Sequence, residues 1–248
     1  MGKRILLYFI HLLPITCKTL LLRRRNKSSQ YYALNEIDQK LKKYLLQPHI
    51  VKFYVELGAN DGITQSNTLH FEMFHNFTGI LIEPVSELYK SLKLNRGKNN
   101  KLFNFVCVEM DFPFPFIKLT YSNLMTKAHL VKPGGQKTEN QIALEADLHA
   151  FAGEKFLRQK DKVKTILGHT ITLNEILIRS SAPMLMGLLS LDVEGAELNV
   201  LMGINHEIFK FQYMLVETDD FAEINKYLDE KGYNFIEKLS GHDYLFAS

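Results

Sequence analysis

Hydrophobic residues along the chain alternate between short apolar runs and longer stretches with helical spacing. The short runs are rich in β-branched and other apolar residues and predict strands at 50–57, 79–82, 102–108, 188–192 and 213–217. Apolar residues at helical spacing predict helices at 31–46, 64–76, 85–95, 173–179, 196–202 and 222–231. This alternation is typical of a parallel sheet whose two faces are covered by helices. Segments 232–239 and 243–247, around Gly241, predict a closing antiparallel hairpin.

Residues 109–165 interrupt this alternation. They contain a proline-aromatic run (FPFPF at 112–116), a predicted strand at 116–121, a turn at 133–135 and a polar helix-forming stretch. We interpret them as an insertion over the sheet, where lids and specificity loops are commonly found. The sequence therefore predicts one Rossmann-like α/β domain over residues 28–248, with helices on both faces of a mostly parallel sheet. A basic turn is expected at 96–101.

Charge is unevenly distributed along the 248 residues. The net charge is +3, but residues 1–50 contain ten basic and two acidic side chains, so the remainder is net negative. A mildly acidic domain argues against nucleic acid as a partner, because phosphate binding requires a basic surface. The two cysteines, Cys17 and Cys107, form neither a disulfide framework nor a metal-ligand spacing, which favours a reducing compartment.

The N-terminal arm, residues 1–27, has its own pattern. Its apolar run at 5–22 is bracketed by basic residues and barely reaches the length of a membrane span. No small-x-small cleavage site follows. Basic residues on both sides favour a helix on an anionic membrane surface, although a signal peptide, a single span and a helix packed on the domain stay open. We therefore expect a cytoplasmic protein that contacts a membrane surface through residues 5–25; its oligomeric state is not indicated.

Two motifs follow the first two predicted strands. The run VELGANDG at 55–62 places glycines where the backbone can approach a nucleotide-like ligand. Its spacing is Gly-x-x-x-Gly rather than the Gly-x-Gly-x-x-Gly of a pyrophosphate-binding turn. Glu83 ends the second strand, where a carboxylate can accept hydrogen bonds from both ribose hydroxyls. The alternatives are a tight turn without a ligand and a solvated loop acid.

A third motif, LSLDVEGAE at 189–197, follows the fourth predicted strand. Asp192 faces the same crevice as the first two motifs, and we predict that it orients the acceptor or takes its proton. Glu194 is a second candidate, although an acid at a helix start is also favoured by the helix dipole. His129 and His169 are alternative bases. Glu217, with two further acids, ends the next strand and is expected in the acceptor pocket; no metal-ligand spacing is present.

In order and spacing these motifs, with SNT at 66–68 and IEP at 82–84, resemble the FkbM-type methyltransferases over roughly 53–217. The resemblance implies a class I methyltransferase fold, an S-adenosylmethionine cofactor and O-methylation of a hydroxyl on a sugar, glycan, lipid or secondary metabolite. Our own prediction from the residues is that Asp192 and Glu194 are catalytic. The family pattern often has lysine where this chain has Ser190. The implied cofactor-binding residues are Glu56, Gly58, Asn60, Asp61, Gly62, Ser66, Glu83, Pro84 and Val108.

Three other functions are compatible with parts of the pattern. A nicotinamide-dependent oxidoreductase would use a similar fold but a different glycine spacing. A membrane-associated glycosyltransferase would place acids around a sugar nucleotide, although no separate Asp-x-Asp site ends a strand. A catalytically inactive nucleotide-binding module would bind the cofactor without methyl transfer.

Overall fold

The computed structural model describes residues 31–96, 98–131, 135–157 and 162–248. The N-terminal arm, with its predicted membrane contact, lies outside these residues, as does most of the predicted turn at 133–135. Within the described ranges, no helix has the length and apolarity required to cross a membrane.

Eleven strands and seven α-helices make up the described structure. The strands are β1 Phe53–Leu57, β2 Thr78–Ile82, β3 Lys101–Phe103, β4 Val106–Val108, β5 Phe116–Tyr121, β6 Lys127–Ala128, β7 Lys164–Thr172, β8 Leu185–Leu191, β9 Lys210–Glu217, β10 Asn234–Lys238 and β11 Asp243–Ala247. The helices are α1 Ile37–Leu45, α2 Leu69–His75, α3 Ser86–Asn95, α4 Glu139–Gly153, α5 Leu173–Arg179, α6 Glu197–Met202 and α7 Phe221–Glu230. Short 3-10 turns occur at Leu34–Glu36, Asn123–Met125 and Glu154–Phe156.

The main sheet has seven strands in the order β10-β11-β9-β8-β1-β2-β3. Strands β3, β2, β1, β8 and β9 are parallel, whereas β11 is antiparallel to both β9 and β10. The predicted α/β fold with its closing antiparallel hairpin is confirmed. The strand order reverses between β1 and β8, and in open α/β sheets ligands bind in the crevice outside the carboxyl ends of strands at such a reversal.

Each central strand buries side chains on both of its faces. Tyr54 of β1 packs in a hydrophobic cluster with residues of α1, α2 and α3, whereas its neighbour Val55 packs in a second cluster with residues of α5, α6 and α7. Successive side chains of a strand point to opposite faces. The two clusters therefore show that helices cover both faces of the sheet.

A second, four-stranded sheet lies beside the first, in the order β4-β7-β5-β6. The predicted single strand at 102–108 is wrong because its two halves belong to different sheets. Asn104 separates them: its Nδ2 donates to the carbonyl oxygens of Glu83 (2.8 Å) and Pro84 (2.9 Å), which turns the chain away from the main sheet. Strand β7 was not predicted. Gly168 at its centre lets this strand pack closely against the side chains of Val106 and Leu119. A Cβ atom at residue 168 would lie only 2.6 and 2.7 Å from them.

Arg96 is the first residue of the predicted basic turn, and it is buried rather than exposed, with 2% of its surface accessible. It directly follows α3 and extends under the loops that come after β1. Every N–H bearing nitrogen of its guanidinium donates to an acceptor, so the buried charge is both paired and hydrogen-bonded. The acceptors are Glu72 (2.7 Å), Tyr54 (2.7 Å), Thr68 (2.9 Å), Ser66 (3.0 Å), the Gly62 carbonyl (3.1 Å) and Glu56 (3.3 Å).

The segment 64–68 is a loop, so the predicted helix at 64–76 begins only at Leu69. Glu56, near the carboxyl end of β1, holds this loop in place. Its carboxylate accepts hydrogen bonds from the Ser66 hydroxyl (2.9 Å), the Asn67 backbone N–H (3.0 Å) and the Thr68 hydroxyl (2.6 Å). These bonds replace the hydrogen bonds that a first helical turn would have made.

Replacement of Arg96 by methionine is expected to lower the free energy of unfolding by about 3–5 kcal/mol, because it leaves the carboxylates of Glu56 and Glu72 buried without their cation. Urea unfolding measures the change. Arg179→Met is the matched control, since Arg179 forms an exposed ion pair with Glu175, and removal of such a pair costs at most about 1 kcal/mol. Equal effects of the two substitutions would show that the buried pairing does not stabilise the fold.

Candidate active site

A cavity of about 300 Å³ opens at the carboxyl ends of β1, β2 and β8, at the reversal of strand order. This volume is within the range of small-molecule sites. The floor comes from the loops after these strands. The roof comes from the insertion, and the N-terminal part of the described chain adds a side wall. The roof residues include Leu119, Asn123, Leu124, Met125 and Ala128, and the side wall includes Leu34, Asn35 and Ile37.

Gly58 brings the loop after β1 into contact with the loop after β8. Its φ is +76°, and a Cβ atom there would lie 2.0 Å from the carbonyl oxygen of Asp192. Only glycine permits both this left-handed backbone and this close approach. The first and third motifs predicted from the sequence therefore meet at one point of the cavity floor.

Glu83 lies at the end of β2 with 4% of its surface accessible. One carboxylate oxygen accepts the backbone N–H of Asn60 and the other accepts that of Val85, both at 2.8 Å. Burial raises the pKa of Glu83 to about 7, and the charge of Asp61 acts in the same direction. Each oxygen still has a lone pair for a further donor, so Glu83 can receive hydroxyl groups from a ligand in the cavity.

The other predicted cofactor-binding residues fall into two groups. Glu56, Ser66 and Pro84 line the cavity, although the first two also belong to the Arg96 network. Asp61, Gly62 and Val108 are not part of the lining. The Asp61 carboxylate instead accepts the backbone N–H groups of Ile63 (3.0 Å) and Thr64 (2.8 Å), which fixes the loop, and Val106 and Cys107 line the cavity in place of Val108.

Asp192 and Glu217, at the ends of the adjacent strands β8 and β9, are hydrogen-bonded to each other. Burial and then the charge of Glu217 raise the pKa of Asp192 well above its ordinary value. Burial and then the charge of Asp243 raise the pKa of Glu217 to about 7. The raised pKa values of both groups favour a proton held between the two carboxyl groups.

Glu194 pairs with a histidine that was not predicted. Its Oε2 lies 2.8 Å from Nε2 of His149, which α4 contributes from the insertion. Local sequence patterns contain no signal for a contact between residues so far apart in the chain. The two predicted alternatives lie elsewhere: His129 contacts the Thr120 hydroxyl (2.8 Å), and His169 packs against Phe116. Neither of them lines the cavity.

Non-glycine residues with a left-handed backbone cluster around the cavity. Such a conformation costs about 1 kcal/mol or more per residue and is often concentrated at functional sites. The ones that line this cavity are Asn35, Asn60, Gln65, Asn123 and Glu194. Two of them, Asn60 and Asn123, join floor to roof through a side-chain hydrogen bond of 3.3 Å.

Acidic side chains dominate the electrostatics of the cavity. Among its described lining residues there are six carboxyl groups and neither lysine nor arginine. They are Glu56, Glu83, Asp192, Glu194, Glu217 and Asp243. Within the described chain, no group of three or more His, Cys, Asp or Glu side chains has an arrangement suited to a metal ion. The wall therefore suits a ligand that is cationic or rich in hydroxyl groups, and it repels anions.

Comparison with known proteins agrees with this geometry. The family model of the Methyltransferase FkbM domain matches residues 56–235, which run from the middle of β1 into β10 and include most of the cavity wall. No curated protein matches the chain at a significant level. Since the matched segment covers well over half of the sequence, the chain belongs to the FkbM methyltransferase domain family.

Proposed function

We propose that this methyltransferase uses S-adenosylmethionine to methylate a hydroxyl group of its acceptor. The observation that carries the proposal is the acidic cavity at the reversal of strand order, with Glu83 in its wall at the end of β2 and without lysine or arginine among its described lining residues. S-Adenosylmethionine has a positively charged sulfonium, a ribose with two free hydroxyls and no phosphate. The sulfonium matches the acidic side chains of the wall, and the ribose hydroxyls match Glu83 as an acceptor. The absence of phosphate matches the absence of lysine and arginine from the described lining.

The residues present fit this cofactor. Glu83 would accept hydrogen bonds from the ribose hydroxyls, because its two oxygens lie at the end of β2 with lone pairs to spare. The backbone at Gly58 and Asn60 would lie against the cofactor, while Glu56 and Ser66 shape the loop beside it. When bound, S-adenosylmethionine would supply an electrophilic methyl group, whose bond to sulfur breaks so that the sulfur leaves as a neutral thioether.

The same wall argues against the two rival cofactors. Nicotinamide dinucleotides and sugar nucleotides both contain a pyrophosphate, which would meet six carboxyl groups and neither lysine nor arginine in the described lining. Charge repulsion in a partly buried cavity would oppose their binding. A measurement of turnover distinguishes the proposed enzyme from an inactive module that binds the cofactor without methyl transfer.

Asp192 and Glu194 are the residues we assign to the chemistry. In its ionised form the Asp192–Glu217 pair can accept the proton of the acceptor hydroxyl while the oxygen forms its new bond to carbon. The roof residues Leu119 and Leu124 are apolar and would exclude water from the reacting groups. Since the pair takes up one proton per turnover, it must return that proton to solvent when the product leaves.

The acceptor we propose is a small molecule or glycan that offers a hydroxyl group and lacks negative charge. Nucleic acids fall outside this class, because their phosphates would be repelled by the acidic wall. We also propose that the protein is cytoplasmic and attaches to a membrane surface through residues 5–25.

The full-length protein should bind S-adenosylmethionine in calorimetry, and Glu83→Gln should weaken that binding about 10- to 100-fold, because a charge-assisted hydrogen bond to the ribose is lost. Glu87→Gln is the matched control, since Glu87 is an exposed acid on α3. NAD should give no heat of binding. If the folded wild-type protein does not bind S-adenosylmethionine, or if both substitutions weaken binding equally, the assignment of the cavity is wrong.

The affinity for S-adenosylmethionine should rise about tenfold between pH 6 and pH 7.5. Glu83 and Glu217 have pKa values of about 7 in the free protein, so raising the pH through 7 converts them to carboxylates that attract the cation. Calorimetry at several pH values in two buffers of different ionisation enthalpy would measure both the affinity and the protons released. Glu217→Gln should flatten the profile. An affinity that is constant or falls over this range would contradict the charge argument.

Asp192→Asn should retain binding of S-adenosylmethionine but lower methyl transfer at least about 100-fold, because the amide cannot take up a proton. Transfer of a labelled methyl group to a panel of neutral hydroxylated acceptors, such as methyl glycosides, is the measurement. Asp229→Asn is a suitable control, because Asp229 is an exposed acid on α7 and is not part of the lining. Unchanged turnover in Asp192→Asn would remove Asp192 from the mechanism.

A further inference from the structure

His149 connects the insertion to the loop that follows β8. Its Nε2 lies 2.8 Å from Oε2 of Glu194, and the two side chains are only 24 and 21% exposed. Glu194 lines the cavity, whereas His149 is not part of the lining. Because little water competes for this contact, it orients both groups more strongly than an exposed pair would.

Helix α4, which carries His149, is packed tightly on the roof of the cavity. The Ser122 hydroxyl donates to the Ala150 carbonyl at 2.7 Å. A Cβ atom at Gly153 would lie 2.5 Å from the Ser122 hydroxyl oxygen and 2.8 Å from Cβ of Met125, and Met125 itself lines the cavity. A movement of α4 would therefore move the roof with it, and the contact made by His149 ties this unit to the floor.

Glu194 occupies a backbone position that glycine would adopt more easily. Its φ is +55°, in the left-handed region that a side chain makes unfavourable. The next residue, Gly195, has a φ of +97°, and a Cβ atom there would lie 3.1 Å from Nζ of Lys127 in the insertion. A strained residue beside a cavity points to a role for its side chain, which glycine could not supply.

The Glu194 carboxylate has one oxygen available to a ligand. Within the described chain its hydrogen-bond partner is His149, which contacts Oε2, and Oε1 accepts no hydrogen bond. Glu194 also lies near the Asp192–Glu217 pair. Burial and the neighbouring carboxylate are the larger causes of the raised pKa values of Asp192 and Glu217, and the charge of Glu194 raises both further. An acceptor that presents one hydroxyl to Asp192 would therefore have the Glu194 oxygen close to a second hydroxyl.

We propose that His149 is a positioning residue, which fixes the Glu194 carboxylate in the cavity wall so that Oε1 accepts a hydrogen bond from a second hydroxyl of the acceptor. This role rests on the proposed methyl transfer to a hydroxylated acceptor, and it narrows the acceptor to molecules with at least two hydroxyl groups, such as sugars. Since His149 comes from the insertion, the acceptor-binding carboxylate is in place only when the roof is closed onto the floor.

Hydrogen exchange of the full-length protein, followed by mass spectrometry, tests the contact without any methyl transfer. In His149→Ala the backbone amides of the roof, residues 119–128, should exchange about tenfold faster, because a hydrogen bond to a charged group is lost. His149→Gln should stay close to the wild-type rate, since its amide Nε2 can donate to the same Glu194 oxygen. Leu148→Ala is the matched control, because Leu148 is the preceding residue on α4 and is 62% exposed.

Glu194→Ala removes the same bond without altering α4, so it should accelerate exchange of the roof as much as His149→Ala does. The amides of α4 report whether the helix stays folded in each variant. Roof exchange that is unchanged in Glu194→Ala, or an equal increase in Leu148→Ala, would overturn the proposal.

Methyl transfer to methyl glycosides tests the positioning role. His149→Ala should raise the KM for the glycoside about tenfold and leave kcat and the affinity for S-adenosylmethionine unchanged, because it weakens acceptor binding equally in the ground state and the transition state. His149→Gln should restore the wild-type KM. His149→Ala combined with Glu194→Ala should be no worse than Glu194→Ala alone, because His149 acts through Glu194.

Two results would show that His149 does not position Glu194: effects of the two substitutions that multiply, or a loss confined to kcat. A wild-type protein that transfers no methyl group would refute the proposed function and the acceptor-binding role together. The exchange experiment would still decide whether His149 ties the roof to the floor, so the two failures are distinguishable.

Discussion

The buried guanidinium of Arg96 is the interaction on which the architecture of the binding loops depends. From the end of helix α3 it binds to strand β1, to the glycine loop after it, to the segment 64–68 and to helix α2. Its position also limits what surrounds it, because a side chain at Gly62 would lie 2.7 Å from the Arg96 stem. The loops that form one side of the cavity are therefore held by a charge network from beneath, rather than by a ligand from above.

The carboxyl groups of the cavity wall are stabilised in different ways. Glu56 has Arg96 as its partner, whereas Glu83 relies on two backbone N–H groups, and Asp192 and Glu217 rely on a shared proton. Burying several acids without a cationic side chain is unfavourable unless protons or a cationic ligand neutralise them. In the free protein the raised pKa values of Glu83, Asp192 and Glu217 favour their protonation. A cationic cofactor would take their place, which links the occupancy of the site to the charge state of its wall.

Sequence patterns predicted the parts of the molecule that follow from local periodicity. The parallel strands and their covering helices emerged from hydrophobic spacing, and parallel topology then brought Gly58, Glu83 and Asp192 to one edge of the sheet. Arg96 was correctly placed after a helix, but its burial was not predicted, because one arginine after a helix resembles a solvated residue. Its partners lie 24 to 42 residues away, beyond the reach of any periodic signal.

The insertion shows even more clearly that local periodicity does not predict contacts between residues far apart in the chain. Its strand β7 pairs with β4 and β5 across long separations, and the glycine that permits this crossing resembles a strand breaker in the sequence. The roof residues and the contact between His149 and Glu194 exist only after that second sheet has formed. The predicted helix at 64–76 begins later than expected, at Leu69, for a related reason, since Glu56 accepts hydrogen bonds from the polar groups of the predicted first turn.

The left-handed residues around the cavity have a consequence for engineering this protein. Replacing a strained left-handed residue with glycine relieves the steric cost of its backbone, but it also widens the range of conformations that the chain explores. At Asn60 and Asn123 the same substitution would remove the side-chain bond that joins floor to roof. Glycine substitutions made at these positions to raise thermal stability would therefore loosen the cavity. Stabilising changes are better sought on the outer helices.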